Sequence, residues 1–342
     1  MILHLQILLK LLCGGIHGSP VNLSQYDTSA PETWQRVYDL SEQYGVVALV
    51  GEGIKNLPAE QRPPKIVLLQ WLGQAMWQEN QNASRRQLIE ELRQLWERNG
   101  IKCIELKGMS VGRLYWKPEL RYSCDFDCFL SDYEKGNAVI ESAGVKVSRD
   151  FYKNSSFTWK SLYVENHQFC TPVRGNKAMK RLERKLRELL EGCEEYPGAD
   201  FNALFLMEHA WAHFFEEALT LKQLCDWAVF RKACGSDVDW QLYEREAKAC
   251  GFWRFSESMN RLADLLDGVR REDELECDDL RLLHDILDNR SISMNAGWRT
   301  RLQLIGNYFT QSWKYKAFSN HSMPYVLCRT IWGFVFDRNP RI

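Results

Sequence analysis

Asp125-Phe126-Asp127 places two carboxylates two residues apart in a run that alternates apolar and polar positions. On an extended strand such residues share a face and lie about 6 to 7 Å apart, with Phe126 turned to the other side. Two ionised carboxylates at that spacing repel, so a divalent cation is their natural partner. Mg²⁺ favours one or two carboxylates together with substrate phosphates, the arrangement of an in-line phosphoryl displacement. Taken alone, the pair also fits a solvated strand face. Upstream, Leu106-Lys107-Gly108 closes a short apolar run, Ile101 to Leu106, and leads into a short helical stretch that stops near Pro118. A strand, a glycine turn and a helix start expose backbone N–H groups that can hold phosphate oxygens. Glu165, in Tyr163-Val164-Glu165-Asn166-His167, is a third acid on a later strand, available to the first two.

The elements that must position these groups follow from periodicity and punctuation. Residues 1 to 100 read as helical, with a long run from Pro64 to Asn99 closed by Gly100. Ile2, Leu5, Leu8, Leu9 and Leu12 predict an amphipathic first helix packed on the rest of the chain, in preference to a signal peptide or membrane anchor. Residues 101 to 175 read as an α/β core: a strand over Arg121 to Leu130, a helix capped by Asp132 and ended by Gly144, and strands over Val145 to Val147, Ser156 to Lys160 and Leu162 to Thr171. Residues 176 to 342 return to helices. The fold class is therefore α+β and mostly helical, a small mixed sheet flanked by an N-terminal and a C-terminal helical region.

Charge and cysteine usage exclude several classes. Of 342 residues, 44 are Lys or Arg and 45 are Asp or Glu, a net charge of −1 that argues against binding long DNA or RNA mainly by counterion release. The 11 cysteines show no Cys-x-x-Cys and no zinc-finger spacing, which fits reduced thiols in a cytoplasm. Cys124 and Cys128 are expected to be buried thiols. One local basic patch stands out: Arg174, Lys177, Lys180, Arg181, Arg184, Lys185 and Arg187 surround the single acid Glu183. Met179, Leu182, Leu186, Leu189 and Leu190 make the same segment amphipathic, so it can be a solvated helix or a receiver for a triphosphate or an RNA end.

Lys107-Gly108, Tyr115, Pro118, Arg121, Asp125-Phe126-Asp127 and Val164-Glu165-Asn166-His167 together resemble the bacterial uncharacterised nucleotidyltransferase family of the DNA polymerase beta-like superfamily. His209, His213, Leu224, Asp226 and Asp239-Trp240 resemble that family's helical C-terminal pattern. The resemblance implies a minimal nucleotidyltransferase sheet in which Asp125, Asp127 and Glu165 are the catalytic, metal-binding acids. It also implies that Gly108 and Ser110 contact the triphosphate and that Lys107 and Arg121 neutralise its charge. Gly108 is followed by Met109, where the superfamily usually has a second small residue.

The expected activity is a Mg²⁺- or Mn²⁺-dependent transfer of a nucleoside monophosphate from an NTP to the hydroxyl of a small molecule, a protein or an RNA end. Two other readings stay open. One is a non-catalytic nucleotide-binding or interaction protein of the same fold. The other is a zinc hydrolase using His209 and His213, at i and i+4, with Asp226.

Overall fold

The computed structural model describes residues 3–149, 152–216, 218–288 and 311–337. Helices α1 (Leu3–His17), α2 (Pro31–Gln43), α3 (Val47–Lys55) and α4 (Lys65–Arg98) come first, followed by β1 (Cys103–Glu105) and the one-turn helix α5 (Met109–Gly112). Then come β2 (Asp125–Leu130), α6 (Tyr133–Ser142), β3 (Asn154–Trp159) and β4 (Leu162–His167). Helices α7 (Lys177–Leu190), α8 (Ala199–Glu216), α9 (Leu221–Cys234), α10 (Trp240–Cys250), α11 (Trp253–Leu266), α12 (Cys277–Asp288), α13 (Ser312–Phe318) and α14 (Met323–Phe336) complete the described chain. The α+β, mainly helical class is as expected. No helix among the described residues is long and apolar enough to cross a membrane.

Helix α1 is buried on more sides than an amphipathic stripe requires. Ile7, Leu11 and Ile16 are covered along with Leu8, Leu9 and Leu12, while Ile2 lies outside the described residues. Glycines explain the close fit. A Cβ at Gly15 would meet the Leu49 carbonyl oxygen at 1.8 Å, and one at Gly53 would meet that of Leu11 at 1.9 Å, so α1 and α3 cross backbone to backbone.

The 34 residues of α4 make a rod of about 50 Å. Its N-terminal half puts Trp71 and Ala75 into the large helical core; its C-terminal half puts Leu92 and Trp96 under the sheet, in a separate core with Phe126, Cys128, Leu130, Phe157 and Val164. Between the two, buried Asn82 donates through Nδ2 to the carbonyls of Glu119 and Arg121, both at 2.8 Å, and so fixes the segment that leads into β2.

The sheet order is β1-β2-β4-β3. β1 runs antiparallel to β2, β2 parallel to β4, and β3 antiparallel to β4. Asp132 caps α6 by accepting from the Lys135 N–H, and Gly144 takes a positive φ just beyond it, both as predicted. Strand boundaries differ from expectation: β1 covers only Cys103–Glu105, and β3 runs over Asn154–Trp159 in place of Ser156 to Lys160. β2 starts at Asp125 because the carbonyl of Arg121 is taken by Asn82 and its side chain by Asp226, leaving the preceding residues outside the ladder. Val145 to Val147 form no strand; only Ser148 bridges to Ser156. β4 stops at His167, since Thr171 turns to bond Glu183 on α7. Cys128 is buried as expected, but Cys124, ahead of the strand, is exposed.

Candidate active site

Burial of Phe126 and Cys128 on the core side of β2 forces Asp125 and Asp127 onto the opposite face. The parallel register sets Asp127 directly against Glu165 and Asp125 against Tyr163. His167, two residues beyond Glu165, must then share its face. Its Nε2 lies 2.9 Å from Asp127 Oδ1 and 3.7 Å from Glu165 Oε2. Lys107 arrives from the end of β1, where the Leu106 N–H donates to the Asp127 carbonyl at 3.0 Å, and its Nζ lies 2.8 Å from Asp127 Oδ1. The sequence reading gave His167 no role; its signal was the i+2 spacing from Glu165.

These groups set each other's protonation. Burial alone would push Asp127 upward, but Lys107 and the His167 hydrogen bond outweigh it and hold the carboxyl below the usual carboxylate range. Glu165 goes the other way, raised by burial and by Asp127 beside it. Its Oε2 accepts from Asn154 Nδ2 at 2.8 Å. Lys107 stays charged: burial opposes this, but Asp127 and Asp125 raise its ammonium. His209 on α8 sits 3.2 Å from Lys107 Nζ and is kept neutral by burial and by that cation.

The donor set suits a divalent cation. Asp127, Glu165 and His167 each offer one ligand atom, and the three atoms lie within 4.8 Å of one another. Asp125 is on the same face and half-buried, and accepts a weak hydrogen bond from Cys124 Sγ at 3.7 Å. Two or three carboxylates suit Mg²⁺ or Mn²⁺, and the imidazole widens the range toward softer ions.

The glycine turn has a more particular construction than its sequence implied. Gly108 adopts φ 58°, ψ −116°, a region that a side chain disfavours, and a Cβ there would meet Glu105 Oε1 at 2.3 Å. That oxygen accepts the Met109 N–H, and the other Glu105 oxygen lies 3.1 Å from Arg93 Nη2. Burial pushes Glu105 up to about 7 in spite of both partners. One amide of the turn is therefore occupied by an internal carboxylate, while Gly108 N–H has no acceptor among the described residues. Ser110 is fully buried, with its hydroxyl 3.4 Å from Asn202 Oδ1, and is not part of the cavity wall.

A cavity of about 210 Å³ opens beside Asp125 and Asp127, walled also by Lys107, Gly108, Arg121 and Lys222, with His209 and His213 lining it as well; Glu165 and His167 are not part of its wall. Arg121 is 6 % exposed and clamped to Asp226 on α9: Nε donates to Oδ1 at 2.7 Å and Nη2 to Oδ2 at 2.8 Å. Tyr115 Oη also donates to Asp226 Oδ1, at 2.7 Å. This corrects the zinc reading of His209, His213 and Asp226. Both oxygens of Asp226 are engaged by Arg121 and Tyr115, and these three residues are not a converging ligand group among the described residues. His209 and His213 instead stack edge to face, with ring centres 4.3 Å apart. Lys222 escaped the sequence reading; burial and Arg121 lower its ammonium.

The basic segment forms α7 with its apolar stripe buried, as its periodicity predicted. Much of its charge is spent on acids: Arg181 on Glu246 at 2.8 Å, Lys180 on Asp337 at 2.9 Å and Arg187 on Glu183 at 3.0 Å.

No curated protein and no solved structure matches this chain. The sequence pattern of the family described as uncharacterised nucleotidyltransferase matches residues 30–267, a stretch that holds the whole sheet, the acids and the cavity-lining helices. The chain belongs to that family.

Proposed function

We propose that the protein transfers a nucleoside monophosphate from an NTP to an acceptor hydroxyl and releases pyrophosphate. The observation that carries this reading is the convergence of Asp127, Glu165 and His167 on two paired strands, with Lys107 against Asp127 and a cavity bordered by Asp125, Asp127 and Lys107. Asp125, Asp127 and Glu165 would hold Mg²⁺ or Mn²⁺, with His167 beside them. The ion would supply charge neutralisation at the attacking and leaving oxygens.

The chain's own groups do the rest by positioning. Lys107 holds its charge against the acids and can follow phosphate charge as it shifts to the leaving group. Gly108 offers an amide to a phosphate oxygen. Arg121 is oriented by Asp226 at the cavity wall, where its guanidinium would neutralise triphosphate charge. Glu165 Oε2 is engaged by Asn154, so Oε1 is the atom to take the acceptor's proton, and the raised Glu165 carboxyl suits that role. Ser110, behind the turn, supports it from within.

Pyrophosphate release tests the reading. The full chain, Mg²⁺ or Mn²⁺, each NTP and fractionated cell extract should give NTP-dependent pyrophosphate. Asp127→Asn and Glu165→Gln should lower the rate by at least about a hundredfold, the usual scale for removing one charge-stabilising group. Equal rates in wild type and both variants would refute it.

A further inference from the structure

A second cluster involves no residue of the sheet and joins α1 to the end of α11. Cys13 and His17 are four residues apart on α1, so they project from the same face. Asp267 follows the last turn of α11 and meets them: His17 Nε2 lies 2.8 Å from Asp267 Oδ1. One donor atom from each of Cys13, His17 and Asp267 lies within 4.8 Å of the other two. The His17 side chain is 6 % exposed and that of Asp267 21 %, so the cluster is largely shielded yet open to an entering ion.

We infer that Cys13, His17 and Asp267 form a zinc site that ties α1 to the end of α11. Sulfur, imidazole nitrogen and carboxylate oxygen are the three ligand types that Zn²⁺ takes in tetrahedral sites. The thiol excludes a site for Mg²⁺ or Ca²⁺, which bind through oxygen. Binding of Zn²⁺ would displace the thiol proton to solvent and leave Cys13 as a thiolate ligand. Cys13 and His17 precede the stretch that matches the family, and Asp267 is its last residue. The site would thus pin the leading helix to the end of the family fold.

The test uses the full chain and the metal alone. Wild type purified without chelator should retain about one equivalent of zinc by elemental analysis. Co²⁺ in its place should give the intense near-ultraviolet sulfur-to-cobalt band. Cys13→Ser should lose that band, and His17→Gln and Asp267→Asn should weaken Co²⁺ binding at least about tenfold. Asp127→Asn should leave the sulfur-to-cobalt band unchanged, which separates this site from the acids of the sheet. Failure of folded wild type to give the band with Co²⁺ would overturn the site, as would survival of the band in Cys13→Ser. Circular dichroism identifies which variants are folded. If Cys13→Ser is not, a folded His17→Gln with wild-type Co²⁺ affinity would overturn the site equally.

Discussion

Removing Asp226 should destabilise the protein severely, although the residue does not touch the three acids. Arg121 is 6 % exposed and its charge is matched by the two Asp226 oxygens at 2.7 and 2.8 Å. Asp226→Ala leaves that guanidinium buried without a counter-charge, a loss of about 3–5 kcal/mol. The Tyr115 hydroxyl loses its acceptor in the same step, adding about 1–2 kcal/mol. With a urea slope of about 3 kcal/mol per molar, the unfolding midpoint followed by tryptophan fluorescence should fall by about 1.3–2.3 M. The double variant Arg121→Met/Asp226→Leu removes both charges and should recover most of the loss, giving a coupling of about 2–4 kcal/mol. The sign with pH is fixed by the depressed Asp226 carboxyl, lowered by Arg121 against the effect of burial. Its contribution is complete above the unfolded value of about 3.9 and disappears as pH falls through the lower folded value. A loss below about 1 kcal/mol for Asp226→Ala, or a double variant as unstable as the two single losses combined, would refute this clamp.

Other expectations can be checked by equally direct measurements. Lys107→Met removes the principal charge that lowers Asp127, so the acid limb of the pH–rate profile should move upward and the rate should fall at every pH; an unmoved limb would count against the coupling. The rise of Glu105 from 4.5 to about 7 means that the folded state keeps a proton which the unfolded chain releases. Stability should therefore decline between pH 4.5 and 7, by about 3 kcal/mol at most, and Glu105→Gln should flatten that slope in denaturant titrations. Gly53→Ala must push α1 off α3, because its Cβ would sit 1.9 Å from the Leu11 carbonyl oxygen. A loss of about 1–3 kcal/mol or more is expected in thermal unfolding, with catalysis by the folded fraction unchanged.

Strict alternation made β2 legible. Phe126 and Cys128 had to face the core, so Asp125 and Asp127 had to face away, and the parallel register then brought Glu165 opposite Asp127. Asp132 and Gly144 bounded α6 by local rules of capping and chirality, which operate within one turn of helix. What the sequence left hidden was long-range. The Arg121–Asp226 clamp joins residues 105 positions apart, and nothing near Arg121 distinguishes a phosphate ligand from a buried ion pair. Glu105 reads as an ordinary strand residue until the turn folds its carboxylate back onto Met109. Helix α1 reads as amphipathic because glycines carry no hydropathy signal, yet Gly15 and Gly53 let α3 cover it closely. The His209 and His213 spacing suggested zinc, and only the tertiary contacts of Asp226 remove the third ligand.

Nucleotidyl transfer is tested most directly by comparing NTP labelled at the α-phosphate with NTP labelled at the γ-phosphate, in the presence of the acceptor-containing cell fraction and Mg²⁺ or Mn²⁺. Transfer of a nucleoside monophosphate puts the α-label on the acceptor and the γ-label in pyrophosphate, and both signals should vanish in Asp125→Asn/Asp127→Asn. Appearance of the γ-label on the acceptor, or equal labelling by wild type and the double variant with all four nucleotides, would contradict the assignment.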